Sequence, residues 1–180
     1  MNSIQTMYFD LGNVLIFFSH KKMYQQLASL SGLSVDFLQS IFVQDGLGLQ
    51  YETGCITTDD LYSRLQTLST RNFSKDEFMQ AASQIFHPNE EMPPIIDQMK
   101  KQSVRLILLS NTSECHFNYI AQNYPIIHKF DELVLSYKVG ACKPNPLIFQ
   151  HALQLAKCPP SNCFFVDDIP EYVEAARKAG

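Results

Sequence analysis

Asp10 ends an apolar run, Met7-Tyr8-Phe9, and opens the turn Leu11-Gly12-Asn13-Val14-Leu15. An apolar run that stops at a carboxylate and then turns on Gly-Asn reads as the C-terminal end of a buried strand. In open α/β sheets, ligands bind at that edge. Three more polar clusters follow apolar or strand-like runs: Ser110-Asn111-Thr112, Lys143-Pro144 and Asp167-Asp168. Together they offer a nucleophilic carboxylate, a hydroxyl with backbone N–H donors, an ammonium and an acidic pair. That inventory suits phosphoryl transfer. Carboxylates hold Mg²⁺ through oxygen, an ammonium and N–H donors stabilise phosphoryl oxygens, and a carboxylate can form an aspartyl-phosphate that water splits.

Each cluster alone has a plainer use. A lone Asp after a strand serves as a turn or capping residue. Ser110-Asn111-Thr112 reads as a helix N-cap, and a lone Lys is a solvated charge. Their convergence favours chemistry. The cap and the anion cradle coincide, because a helix N-terminus binds anions. The neighbouring Asp167 and Asp168 repel one another, which argues for a cation between them.

The elements that must position these groups are legible as periodicity. Residues 5–9, 104–109, 133–135 and 163–166 are short apolar runs closed by polar, Gly or Pro residues, as buried parallel strands are. Helical patterns follow Ser113, Asn145-Pro146 (a cap followed by proline at the first helical position) and Pro170. Alternating strands and helices predict an α/β fold with a Rossmann-like parallel sheet. Residues 20–90 differ, reading as all-helical with no strand signal. Met23, Leu27 and Leu30 share a face, Ser74-Lys75-Asp76-Glu77 is a capping box, and Thr57 with Asp60 starts another helix. The segment is too long for a crossover and predicts a helical cap inserted after the first strand. The expected division is a core of residues 1–19 and 91–180 with a cap of residues 20–90. The loop Gln44-Asp45-Gly46-Leu47-Gly48 is expected to be flexible and to line the entrance.

Bulk properties narrow the partners. The chain has 180 residues, 46% of them hydrophobic, and a net charge of -4, enough for one real core. No basic stripe marks a nucleic-acid or anionic-membrane surface. The longest apolar runs, residues 14–18 and 106–109, are too short to span a bilayer, and no secretory signal is visible. Five scattered cysteines without a C-x-x-C pair argue against a zinc knuckle or a disulfide framework. A cytoplasmic protein acting on a small molecule, with no nucleic-acid or membrane partner, is the expectation; oligomeric state is not legible.

The four clusters in order, Asp10-Leu-Gly-Asn-Val, Ser110-Asn-Thr, Lys143-Pro-Asn-Pro-Leu-Ile-Phe and Phe165-Val-Asp-Asp-Ile-Pro, resemble the motifs of the haloacid dehalogenase-like (HAD) superfamily, in its helical-cap phosphatase branch. The resemblance covers nearly the whole chain. It implies that Asp10 is the nucleophile and a magnesium ligand and that Gly12 gives its carbonyl to the metal. It implies that Ser110, the Asn111 backbone and Lys143 hold the phosphate. Asp168 would be the other carboxylate on the metal, with Asp167 as a ligand or its neighbour. Three departures stand out. The family's first motif usually carries a second acid two residues after the nucleophile, where this chain has Gly12. That acid moves the leaving-group proton, worth roughly 10²–10⁴ in rate. The same Asp-Leu-Gly-Asn-Val motif is similar to that of bacterial α-D-glucose-1-phosphate phosphatase, and its loss of the acid predicts a preference for good leaving groups. Tyr172 stands where relatives often have Asp or Asn, with Glu171 beside it as a substitute. Relatives usually continue into a further strand beyond Ala179-Gly180.

The functional expectation is an Mg²⁺-dependent phosphomonoester hydrolase acting on a small phosphorylated metabolite such as a sugar phosphate. The rivals are a metal-independent haloacid dehalogenase and a non-catalytic phospholigand-binding relative. None of the five histidines is assigned to catalysis, and His20 is expected to be structural although it lies just past the first motif. Specificity is expected from the cap, with Leu49, Tyr51 and Glu52 as contributors.

Overall fold

The computed structural model describes residues 4–180; the first three residues of the expected core segment lie outside the described ones. The chain runs β1 (Thr6–Phe9), β2 (Ile16–Phe18), α1 (His20–Ser31), α2 (Val35–Gln39), α3 (Leu47–Glu52), α4 (Thr58–Leu68), α5 (Lys75–Ser83), β3 (Phe86–Pro88), α6 (Met92–Lys101), β4 (Arg105–Ser110), α7 (Glu114–Asn123), β5 (Glu132–Leu135), α8 (Ser136–Val139), α9 (Pro146–Gln154), β6 (Cys163–Val166) and α10 (Pro170–Ala179). The four expected strands form one parallel sheet in the order β5-β4-β1-β6. Among the described residues no helix is long and apolar enough to cross a membrane, and the five cysteines are free thiols.

Strand alternation splits the core into two faces. Phe9, Leu106 and Leu108 pack with Ile96 of α6 and with Phe117 and Ile120 of α7. Tyr8, Ile107 and Leu109 point the other way, against Ile148, Phe149 and Ala152 of α9. The central strands are therefore apolar on both sides, as a sheet covered by helices on both faces requires.

The helical segment has its own apolar centre. Met23 and Leu27 of α1 meet Leu61 and Leu65 of α4 and Phe78 of α5, with Leu30 packed at the edge. Both capping boxes form: Thr57 with Asp60 opens α4, and Ser74 with Glu77 opens α5. Each satisfies N–H groups that a helix start leaves without partners.

Two expectations are corrected. Residues 20–90 are not all helical, because Phe86–Pro88 pairs antiparallel with Ile16–Phe18 as a two-stranded ribbon. A three-residue strand is too short for alternation to register in sequence. The segment 44–48 is not a flexible loop. Gln44 ends a π-helical turn, Ser40–Gln44, Gly46 adopts the left-handed φ of 72° that glycine favours, and fully buried Leu47 starts α3.

Leu108 is wholly buried in β4 between β1 and β5. Leu108→Ala is expected to cost about 2–5 kcal/mol, the transfer term plus the cavity. Urea denaturation should show a lower midpoint at unchanged slope.

Candidate active site

Sheet register places the first and last acids together. Phe9 pairs with Val166, so Asp10 and Asp167 emerge side by side, and the Asp10 N–H donates to the Val166 carbonyl at 2.9 Å. Past Asp10 the chain turns tightly. The N–H groups of Leu15 and Ile16 both donate to the Leu11 carbonyl, and Asn13 takes a φ of 55°. That turn aims the Asn13 amide back at Asp168, whose Oδ2 accepts from Nδ2 at 3.1 Å.

Lys143 occupies the centre with 2% of its surface exposed. Its Nζ lies 2.8 Å from Asp10 Oδ1 and 2.5 Å from Asp167 Oδ2. The rings of Tyr172 and Phe165 flank it at 5.1 and 5.5 Å, within cation–π range. Asn111 fixes the backbone that carries it: Lys143 N–H donates to Asn111 Oδ1 at 2.7 Å, and Asn111 Nδ2 donates to the Lys143 carbonyl at 2.9 Å. Asn145 then caps α9 through the Leu147 N–H at 3.0 Å. The second oxygen of Asp167 accepts from the Ile169 N–H at 2.9 Å.

One ammonium faces three carboxylates, so the cluster is formally negative. Burial pushes the Asp10 carboxyl up to about 6; the Lys143 charge pulls it down and the Asp167 charge adds to the rise. One oxygen each from Asp10, Asp167 and Asp168 lie within 4.8 Å of one another. The clustered all-oxygen donor set therefore suits a hard divalent cation.

The structure brings Asp10, Gly12, Ser110, Asn111, Lys143, Asp167 and Asp168 to one sheet edge, with some adjustments to the expected details. Ser110 is the last residue of β4 rather than a helix cap; Ser113 holds the N-cap position of α7. The Thr112 N–H donates to Ser136 Oγ at 2.9 Å, and the Ser136 hydroxyl donates back to the Thr112 carbonyl at 2.9 Å. Tyr172 belongs to the site, its hydroxyl 3.4 Å from Asn111 Nδ2. Glu171, expected to stand in for the acid that relatives carry at the Tyr172 position, is exposed and lines an outer groove with Pro144 and Pro146. A Cβ on Gly12 would come within 2.7 Å of Phe18 Cε1. The Phe18 ring thus stands over the backbone where a second acid would start.

Two cavities lie beside these residues. One of about 60 Å³ is lined by Gly12, Ser110, Asn111 and Thr112. One of about 280 Å³ runs into the helical layer between Met23, Leu27, Leu61 and Phe78. His20, Glu52 and His116 line both, so His20 faces the site as well as packing 4.9 Å from the Phe18 ring. Burial lowers the pKa of both histidines, His116 to about 4, and raises that of Glu52. Nothing in the local sequence marks His116 or the convergence of these three; they meet only through packing.

A family profile described as haloacid dehalogenase-like hydrolase matches residues 4–180. The chain is 27% identical to D-ribitol-5-phosphate phosphatase of Bacteroides thetaiotaomicron over 98% of its own length and 89% of the relative's. It is 23% identical to a phosphatase of Mycobacterium tuberculosis over 99% and 85% of the two chains. Among solved structures, a HAD family enzyme from Bacteroides thetaiotaomicron in complex with magnesium and inorganic phosphate superposes with a TM-score of 0.88 at 23% identity, covering 99% of this chain and 91% of that one.

The raised Asp10 carboxyl has a stability signature. A carboxyl whose native pKa lies above its unfolded value contributes stability that is complete below about pH 4 and is lost as pH rises through about 6. Asn mimics the protonated form at every pH. In metal-free buffer, Asp10→Asn should gain on the wild type by about 3 kcal/mol between pH 4 and 7, two pKa units' worth. Urea denaturation across that range measures the difference, and a flat difference would show that burial does not raise Asp10.

Proposed function

Since the chain belongs to the haloacid dehalogenase-like hydrolases, we propose that it is a magnesium-dependent phosphomonoesterase working through an aspartyl-phosphate on Asp10. Its substrate is a small phosphorylated metabolite, a sugar or polyol phosphate. The observation that carries this reading is the Asp10 carboxylate held by buried Lys143 beside Asp167 and Asp168. The magnesium-and-phosphate complex of the structural neighbour supports the cofactor. The relative named for D-ribitol-5-phosphate supports the substrate class.

In this reading Asp10 attacks phosphorus in line with the departing oxygen. Lys143, Ser110 and the Asn111 backbone hold the phosphoryl oxygens as charge shifts. Asp10, the Gly12 carbonyl and Asp168 would hold Mg²⁺, with Asp167 a further ligand or the brace that keeps Lys143 in place. When bound, the metal neutralises negative charge on the phosphoryl group. Water then splits the acyl-phosphate and returns Asp10. Residues 20–90 act as the cap that closes over the leaving group, and residues 4–19 and 91–180 as the core that holds the phosphoryl end. A metal-free dehalogenase is the weaker reading, because a formally negative corner beside Asp10 repels a carboxylate substrate.

A panel of sugar and polyol phosphates should be hydrolysed with Mg²⁺, with turnover lost in chelator and restored by added Mg²⁺. Asp10→Asn should lower kcat by roughly 10⁴-fold or more, as loss of a nucleophile does. Equal turnover by Asp10→Asn, or turnover indifferent to the metal, would remove this reading.

A further inference from the structure

Gly12 leaves the core without a proton carrier beside the nucleophile, and the Phe18 ring covers the gap. The leaving oxygen of a phosphomonoester must sit where the phosphoryl end stops and the organic group begins. Here that place is the boundary between the cavity over the strand tips and the larger one in the helical layer. His20, Glu52 and His116 are the residues common to both walls.

From this geometry we propose that Glu52 is the general acid of the reaction, protonating the leaving-group oxygen in place of the acid that Gly12 lacks. Glu52 ends α3 in the helical layer and is not one of the three grouped carboxylates. It is half-buried, and its own carbonyl lies 3.7 Å from Cys142 Sγ, next to Lys143. That contact docks the end of α3 against the core beside the active lysine. Its charge acts on Tyr24, Cys142 and Tyr172, none of them a cation. Burial raises its pKa, which keeps a proton available nearer neutrality. The two histidines are poorer donors, since burial favours their neutral forms. The Nε2 of His116 already lies 3.2 Å from the Ala82 carbonyl.

The step balances. An Asp10 oxygen bonds to phosphorus as the P–O bond to the leaving group breaks, and the Glu52 proton passes to that oxygen to give the free alcohol. Water then attacks the aspartyl-phosphate, Glu52 takes one of its protons, and phosphate and the starting enzyme are restored. Alkyl esters, whose alkoxides leave poorly, come within reach. This replaces the restriction to good leaving groups that Gly12 alone predicts.

The inference rests on the phosphatase reading, and its test separates the two. With Mg²⁺ and enzyme in excess, leaving-group release in a single turnover reports transfer to Asp10 alone. Glu52→Gln should slow alcohol release from an alkyl phosphate such as ribitol 5-phosphate by roughly 10²-fold or more. It should leave release of p-nitrophenolate from its phosphate within a factor of a few, because that anion departs without a proton. The preserved aryl reaction certifies the fold of the variant. Equal slowing of both esters, slowing of neither, or the selective loss in His20→Gln instead, overturns the role of Glu52 while the phosphatase reading stands. A wild type that releases neither leaving group overturns both.

Discussion

The Lys143 ammonium wedged between Asp10 and Asp167 is the interaction around which the site is built. Moving an ammonium and two carboxylates out of water costs several kcal/mol per ion, and their mutual attraction barely repays it. Packing alone gives no reason to bury such a trio, because apolar residues of the same volume would serve stability as well. The fold nevertheless commits heavily to it. Asn111 holds the Lys143 backbone from both sides, two aromatic rings flank the ammonium, and the Ile169 N–H holds Asp167. A lysine stem has four rotatable bonds, and each of these restraints removes freedom that a reaction would otherwise have to remove.

The same restraints explain why the parallel sheet matters. Adjacent strands in register present their following residues at neighbouring positions, so Phe9 opposite Val166 makes neighbours of Asp10 and Asp167. A one-residue slip of β6 would reverse its faces, breaking the apolar packing and moving Asp167 from Asp10 together. Core packing thus enforces site geometry. The helical layer joins the core through polar contacts as well as apolar ones. Tyr51 OH accepts from the Cys115 N–H at 3.1 Å, and the Thr58 hydroxyl donates to Glu114 Oε2 at 2.7 Å. Both contacts fall at the start of α7, a few residues beyond Ser110 and Asn111. The layer is therefore referenced to the same strand end that cradles the site.

Legibility in the sequence follows how local each signal is. The four strand tips are readable because each acid, lysine or Ser-Asn pair adjoins its own apolar run, and parallel topology then brings them together. The capping boxes at Thr57 and Ser74 are readable because they are complete within four residues. The β2–β3 ribbon is not, since three residues show no alternation, and Ile16-Phe17-Phe18 reads equally as packing. The order of residues 44–48 is hidden for a related reason: two glycines and an aspartate signal a loop, while the burial of Leu47 depends on helices elsewhere in the chain. Tyr172 looks like a departure from the motif until its ring is seen beside Lys143. Glu52, His20 and His116 lie in separate elements with no spacing rule to link them. Only tertiary docking puts them on one wall.

Gly12 and Phe18 change what the helical layer must do. An acid two residues after Asp10 would belong to the core and would be in position whatever the layer's arrangement. With the Phe18 ring over Gly12, that space is apolar, and His20, Glu52 and His116 are the titratable groups that line both cavities beside it. The residues of α3 reach that place because of how the layer docks, through Tyr51 on Cys115 and through the Glu52 carbonyl near Cys142. Under the Glu52 proposal, the contacts that hold α3 against the core are also what place the proton near the strand tips, so groups remote from the phosphoryl end bear on kcat.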